Sequence, residues 1–287
     1  MTTEDQTIER FVDSVRTLPP APKILTDLLV ILNDANHDTS RIVELVQFDP
    51  ALTARVLRLC NSAALGGSGR VEDLHTAILR LGFNLVFQLV ASVVSGQTLG
   101  DAQRGYGMGR GELWRHAVAT AMASKALART LGSNESLAFT AALLHDLGKL
   151  VISVALEGSY DHVLREMDES GRSFLEAEKA VLGVDHAEVG AHLLVRWNFP
   201  ENLVSAVRYH HHPRKAAPHE ALAACVHLGD VVSHLLGHGY GHHAYAVRPR
   251  PEALTMLGFG PNDIDLLVLA TQNDIAASPI LANERSS

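Results

Sequence analysis

The chain has 287 residues, 47% of them hydrophobic, which excludes a disordered polymer and suffices for one large core or two intimate smaller ones. With 24 Lys and Arg against 32 Asp and Glu the net charge is −8, and no basic tract is long enough to follow a phosphate backbone, so direct nucleic-acid binding is not expected. Aromatic residues make up only 5%, and the apolar content is mainly Ala, Leu and Val, a mixture that favours close-packed helices and predicts an all-α fold.

The first residues, MTTEDQTIER, are polar and acidic, unlike a targeting segment, and no run approaches the roughly 20 apolar residues of a membrane span; the chain reads as cytoplasmic, with no membrane partner. An amphipathic helix runs from Thr7 to Val15 and is broken by LPPAP, because proline lacks an amide proton and fixes φ. A second helix is predicted from Lys23 to about Asn33, and a third, capped by Thr39 or Ser40, reaches Phe48. Asp49-Pro50, a capping carboxylate before a first-turn proline, starts a helix that runs to Asn61 and ends at GGSG. Two more helices, VEDLHTAILRLG and FNLVFQLVASVVSG, are separated at Gly82, the second apolar nearly all round and so buried. Cys60 and Cys225 both fall in apolar helical patterns and read as buried free thiols.

Residues 100–111 (GDAQRGYGMGRG) hold five glycines and mark a loop between two helical halves. The division expected is an N-terminal helical part over 8–100, a connection over 101–111, a helical bundle over 112–275 and a loosely held tail over 276–287. Bundle helices are predicted at about 112–131, 135–157, 160–170, 173–182, 185–197, 200–211 and 219–236, with one or two more in 251–275. Asp185 with Glu188 has capping-box spacing, Pro200 takes a first-turn position, Pro213 closes the helix that ends in histidines, and GHGYGHH reads as an exposed loop. No repeat of fixed period is visible.

Histidine is the outlier: there are 16, of which 11 fall from His186 onward. The sharpest local feature is LLHDLGKL, in which His145, Asp146 and Lys149 sit inside an otherwise apolar helix. A carboxylate there needs an ion pair, a changed protonation state or a metal, and imidazole beside carboxylate suits a divalent ion, although a hydrogen-bonded core histidine is the alternative for any one of them. Other donors share inward stripes. His116 lies with Leu113, Ala117 and Thr120, and Asp230 follows Val226 by four and Leu222 by eight. His186 opens a helix whose inner stripe is Val189, Gly190 and Leu193, while His210 and His211 end theirs. Together His116, His145, Asp146, His186, His210, His211 and Asp230 suffice for one metal, or for two ions sharing a carboxylate as in phosphoester hydrolysis, with Lys149 on the same face to contact a phosphate or pair with an acid. His227 and His234 flank Asp230 at helical spacings, as residues that orient it or as half-exposed side chains. His212 is open to either reading; His37, His75, His162, His192, His219, His238, His242 and His243 read as structural or solvated.

LPPAPKILTDLLVIL, VQFDPALTARVLRLCNSAALG and VEDLHTAILRLG resemble the N-terminal part of the HDOD domain, the metal-dependent hydrolase-related output domain of bacteria. ELWRHAVATAMASKALA, AALLHDLGKLVI, HAEVGAHLLVRWNFP and AVRYHHHP continue the resemblance, which covers roughly residues 12–240. It implies a helical N-terminal part leaning on an HD-like bundle, and a role in signal transduction through a protein partner or a nucleotide. Onto the HD and HD-GYP pattern, His116 maps to the first histidine, His145 and Asp146 to the HD pair, Lys149 to the following lysine, and His186 to the next histidine. His210 and His211 map to the paired histidines and Asp230 to the last aspartate, so every position is filled. After His211 the chain reads HPRKAAP, departing from the acidic, glycine-rich segment of the HD-GYP phosphodiesterases.

Two functions follow. In one, the chain is a signalling output protein with a retained HD-type metal site. In the other it is a metal-dependent phosphohydrolase in which His116, His145, Asp146 and Asp230 hold one ion, His186, His210 and His211 a second, Asp146 bridges, and Asp146 and Lys149 act on the substrate. One or two ions of iron, manganese or zinc would suit these donors. A metal- or pH-responsive C-terminal loop over Gly237–His243 is a third possibility.

Overall fold

The structure is a computed structural model that describes residues 3–14, 24, 27–28, 31, 39–47, 50–61, 71–155, 160–170, 173–239, 248–260 and 263–277. Every regular element among them is helical; the one β-type contact is an isolated bridge between Gln103 and Met108. The chain divides into two compact units, Met1–Pro20 with Ser95–Gln272, and Ala21–Val94 with Asn273–Ser287.

In the smaller unit, α2 (Thr39–Val46), α3 (Pro50–Cys60), α4 (Leu74–Leu81) and most of α5 (Phe83–Leu99) are described. Asn61, just past α3, acts as a clamp: its Nδ2 donates to the Leu57 and Val71 carbonyls at 3.0 and 2.8 Å, and its Oδ1 accepts from the Val71 amide at 2.8 Å. Asp73 caps α4 by accepting the Thr76 amide at 2.8 Å. Gly82 ends α4 at a positive φ of 75°, and the chain bends by 107° into α5, where the sequence puts the helix break. LPPAP, Asp49, GGSG and most of the predicted helix over 23–33 lie outside the described residues.

The larger unit holds α1 (Thr3–Ser14) and α6 (Glu112–Thr130) to α14, with most of α15. After α6 come α7 (Glu135–Leu144), α8 (Gly148–Ala155), α9 (Tyr160–Ser170), α10 (Phe174–Leu182), α11 (His186–Arg196) and α12 (Glu201–Tyr209). Then follow α13 (Glu220–Ser233), α14 (Pro251–Leu257) and α15 (Asp263–Ala277). Small residues set two close crossings. A β-carbon on Gly229 of α13 would overlap Ser124 Oγ and sit 2.8 Å from the Thr120 carbonyl of α6. One on Gly148 of α8 would overlap the His186 carbonyl and sit 2.6 Å from the Gly190 amide of α11. Apolar packing around Ala123, Leu127, Cys225, Leu228 and Val232, sealed by Leu254, Leu257, Ile264 and Leu267, fixes α6 and α13 against α14 and α15. Each buried Leu, Ile or Val among them is worth about 1.5–3 kcal/mol. Both cysteines are buried free thiols, and burial pushes the Cys225 thiol up to about 12.

Three expectations change. The helix predicted over 135–157 is two, because His145 to Leu147 form a turn, so the His-Asp pair lies at a helix end rather than inside a helix. The glycine-rich segment 100–111 is more than a connection: Gln103 and Met108 exchange backbone hydrogen bonds at 3.1 Å, and a 3-10 turn (Arg104–Tyr106) buries Tyr106. The exposed loop predicted from Gly237 begins instead as a π-type turn over His234–His238, half-buried at its end, while residues 240–247 are outside the described set. Glu135–Val154 is, by length and composition alone, apolar enough to cross a membrane, but 83% of that stretch is buried inside the protein, as suits a core segment.

Candidate metal centre

The ends of four helices and the middle of a fifth converge on one buried space. His145 is the C-cap of α7 and His210 the C-cap of α12, and both use the same device. His145 Nδ1–H donates to the Ala142 carbonyl at 2.6 Å, and His210 Nδ1–H to the Val207 carbonyl at 2.7 Å, each three residues back. Those carbonyls are among the acceptors a helix leaves unpaired at its C-terminus. Satisfying them fixes the Nδ1–H tautomer and turns Nε2 away from the helix, into a region that the negative end of the helix dipole makes favourable for cations.

His116, in the middle of α6, has its Nδ1 3.2 Å from the His238 carbonyl oxygen and 3.1 Å from Ser233 Oγ, both of which accept from an Nδ1 proton. Its Nε2 lies 3.3 Å from His145 Nε2. With both rings in the Nδ1–H form, no proton lies between those two nitrogens, and two lone pairs face each other in a site where His116 is 0% and His145 1% exposed. His186, at the start of α11, gives its Nδ1–H to Glu178 Oε2 at 2.7 Å, and its Nε2 is 2.9 Å from His211 Nε2. His210 Nε2 is buried with no hydrogen-bond partner. An orphaned acceptor of this kind costs about 1–3 kcal/mol, and facing lone pairs add repulsion. A cation among them removes both penalties.

The acids lie between these rings. Asp146 Oδ2 is 3.5 Å from His116 Nε2, 3.4 Å from His145 Nε2 and 2.6 Å from Lys149 Nζ, while Oδ1 is 3.4 Å from His186 Nε2. Asp230 Oδ1 is 3.2 Å from His116 Nε2, 3.9 Å from His145 Nε2 and 3.3 Å from His234 Nε2. Burial drives both carboxyls up, but neighbouring donors outweigh it: His145, Lys149, His186 and His116 hold Asp146 well below the usual carboxylate range, and His116 and His234 do so for Asp230. Burial lowers His116 to about 4 and lowers His210 and His211 well below the imidazole range, which keeps their nitrogens available as ligands near neutral pH.

All eight residues singled out from the sequence meet here. Ligand atoms of His116, His145 and Asp230 lie within 4.8 Å of one another, as do those of His186, His210 and His211, and those of His145, Asp146 and His210. Asp146 stands between the first two groups, one oxygen toward each. The donor set, five imidazoles with two carboxylates, fits a borderline divalent ion.

The structure adds residues that the sequence reading left out. Glu178, on α10 and 0% exposed, accepts from the His186 ring, from the His186 amide at 3.0 Å and from Tyr106 Oη at 2.6 Å. Its spacing, four residues after Phe174 and four before Leu182, puts a carboxylate on an apolar stripe, the same signal that marked Asp230. His234 contacts Asp230 at 3.3 Å, which suits an orienting role, whereas His227 is turned elsewhere, its Nε2 accepting the Arg250 amide at 3.0 Å. His75 and His162 are exposed, His192, His212 and His219 are half-buried, and His37, His242 and His243 are outside the described residues.

The comparisons with known proteins agree with this architecture. An uncharacterized protein of Treponema pallidum is 30% identical over 210 residues, covering 69% of this chain, and the match spans only 38% of that longer protein. The crystal structure of an HDOD domain protein of unknown function from Geobacter sulfurreducens superposes with a TM-score of 0.76 at 26% identity, covering 98% of this chain and 96% of that one. A protein of Marinobacter aquaeolei provisionally described as acting in signal transduction shares the fold, with a TM-score of 0.72 at 24% identity over 97% of this chain and 66% of that one. The HDOD domain profile matches residues 18–213. The chain belongs to the HDOD domain family.

Proposed function

We propose that this chain is a signalling output protein that retains a divalent-metal centre and acts through a protein partner or a nucleotide. One observation carries the metal reading: buried imidazoles with their Nδ1 atoms tied down turn their Nε2 atoms into one space, among them a fully buried His210 Nε2 with no hydrogen-bond partner. His116, His145 and Asp230 would hold one ion, His186, His210 and His211 another, and Asp146 both; iron, manganese and zinc all suit these donors. The signalling role rests on family membership and on the description of the Marinobacter relative. Elemental analysis of the protein as purified, beside His145→Ala and Asp146→Ala variants, tests the centre. Bound metal that both variants lose is expected; a folded wild-type protein that neither carries nor takes up metal overturns it.

A second reading, phosphoester hydrolysis, is favoured by the position of Asp146 between the two ligand sets with Lys149 beside it. Divalent ions here would lower the pKa of a bound water. Asp146 would fix the spacing of the two sets, and the Lys149 ammonium, 7% exposed, would offset negative charge building on a phosphate. Metal-loaded protein should then turn over members of a phosphodiester and nucleotide panel, and Lys149→Met should slow that turnover with metal content retained. No turnover across the panel by protein carrying both ions removes this reading.

A further inference from the structure

The two ligand sets differ in charge. Asp230 places a carboxylate directly among His116 and His145, whereas His186, His210 and His211 are all neutral donors. Behind that second set lies Glu178, 0% exposed. Among the described residues its hydrogen-bond partners are Tyr106 and His186: the tyrosine hydroxyl donates to Oε1 at 2.6 Å, and the amide and Nδ1–H of His186 donate to Oε2 at 3.0 and 2.7 Å. Among the described residues no lysine or arginine pairs with it. A buried carboxylate held only by neutral donors is costly to keep, and burying one becomes favourable when the imidazole it faces carries positive charge. Three of the other rings are backed by neutral oxygens, Ala142 for His145, Val207 for His210, and His238 with Ser233 for His116.

We propose that Glu178 and Tyr106 are positioning residues for a second metal ion: Glu178 fixes the tautomer and direction of His186 and supplies through that ring the negative charge that Asp230 supplies directly to the first ion, while Tyr106 holds Glu178 in place. This rests on the metal reading above. It gives the glycine-rich segment a task, since Tyr106 is carried by the 3-10 turn over Arg104–Tyr106, within hydrogen-bond reach of α10 rather than at a free linker. Carboxylate–histidine–metal arrangements work in this way: the carboxylate makes the ring a stronger ligand and holds its orientation, and losing it weakens metal binding about 10–100-fold.

The test titrates the metal-free full chain with manganese or cobalt chloride alone, following stoichiometry by calorimetry and the cobalt ligand-field spectrum. The wild type is expected to take up two equivalents. Glu178→Gln, which preserves shape and removes charge, is expected to weaken one of them about 10–100-fold and leave the other unchanged. Tyr106→Phe should weaken the same equivalent by a smaller factor, and Glu178→Gln combined with Asp230→Asn should impair both. A wild type that binds no ion overturns the metal reading and this inference with it. A wild type that stops at one equivalent, a Glu178→Gln protein that binds two as tightly as the wild type, or variants whose melting temperature falls with both affinities intact overturn this inference alone.

Discussion

Replacing Lys149 with methionine should make the protein bind divalent metal more tightly while weakening the metal-free fold. The ammonium is 2.6 Å from Asp146 Oδ2, and the same oxygen faces His116 and His145 Nε2 at 3.5 and 3.4 Å. Lysine and an incoming ion therefore claim one carboxylate oxygen. Two unit charges about 4 Å apart interact by roughly 4 kcal/mol at an effective dielectric near 20. If even about a third of that repulsion persists in the folded site, its removal raises affinity about tenfold. In the metal-free protein the change takes the cationic partner from a carboxylate that is 1% exposed, and breaking a buried pair costs about 3–5 kcal/mol. Metal should then recover most of the loss, because a ligand at about 100 times its dissociation constant adds roughly 2.7 kcal/mol. Urea unfolding with chelator and with saturating manganese, beside a manganese titration, measures both effects. A variant that binds manganese no more tightly than the wild type, or one equally destabilised with and without metal, refutes this argument.

Gly148→Ala should lower stability by about 3 kcal/mol or more and abolish metal uptake, since its β-carbon would overlap the His186 carbonyl and force α8 and α11 apart; urea unfolding and metal content report both. Acid should destabilise the metal-free protein from about pH 6.5 down to about 4. Burial lowers His116 and His227 from 6.5 to about 4, so across that window the unfolded chain binds protons that the fold does not, and stability falls by about 1.4 kcal/mol per pH unit for each group, measurable by urea unfolding at a series of pH values. Replacing His227 by asparagine should remove part of that acid sensitivity and leave metal content unchanged, because its Nε2 is committed to the Arg250 amide. His234→Ala, which takes away a contact on Asp230 at 3.3 Å, should weaken metal binding severalfold without eliminating it, as titration of the metal-free protein will report.

The donors were legible because each breaks a pattern. A carboxylate or imidazole at an apolar stripe position is conspicuous, and His116, Asp146, His186 and Asp230 are all buried as their stripes imply. Capping chemistry was equally local: the Asp185–Glu188 box read from the sequence forms at the start of α11, and the structure adds a second box, Ser173–Glu176, at the start of α10. What escaped depends on approach between distant segments. Tyr106 sits in a run whose composition says only loop, and its partner Glu178 is 72 residues away. The pairing of His116 Nδ1 with the His238 carbonyl spans 122 residues and depends on how a π-type turn, bent at Gly237 with φ 79°, brings that carbonyl back onto α6. Gly148 and Gly229 read as ordinary helix residues; only the crossings show that a methyl group would not fit.

The broken helix at His145 shows why a continuous helix was the wrong expectation and why the break serves the site. The apolar pattern from Glu135 to Val154 carries no proline, and its one glycine is tolerable inside a helix, so nothing local stops it. In an unbroken helix the Ala142 carbonyl would accept a backbone amide from the next turn, and the His145 ring would lose that acceptor. Ending α7 at Leu144 leaves that carbonyl only a long 3.5 Å bond from the His145 amide, so it also accepts the imidazole at 2.6 Å, which fixes the tautomer and directs Nε2 into the space shared with His116. The turn also places Asp146 two residues beyond the last residue of α7, where its two oxygens reach toward opposite groups of rings. α12 repeats the device at His210 with the Val207 carbonyl. Two helix C-termini, two oriented imidazoles and a carboxylate between them make a site that is electrostatically prepared for a cation by backbone as much as by side chains. That preparation has a direct consequence for engineering: a helix-favouring Asp146→Ala change removes a proposed ligand and also the polar residue that marks the turn, whereas Asp146→Asn removes the charge at nearly constant shape and isolates the electrostatic contribution.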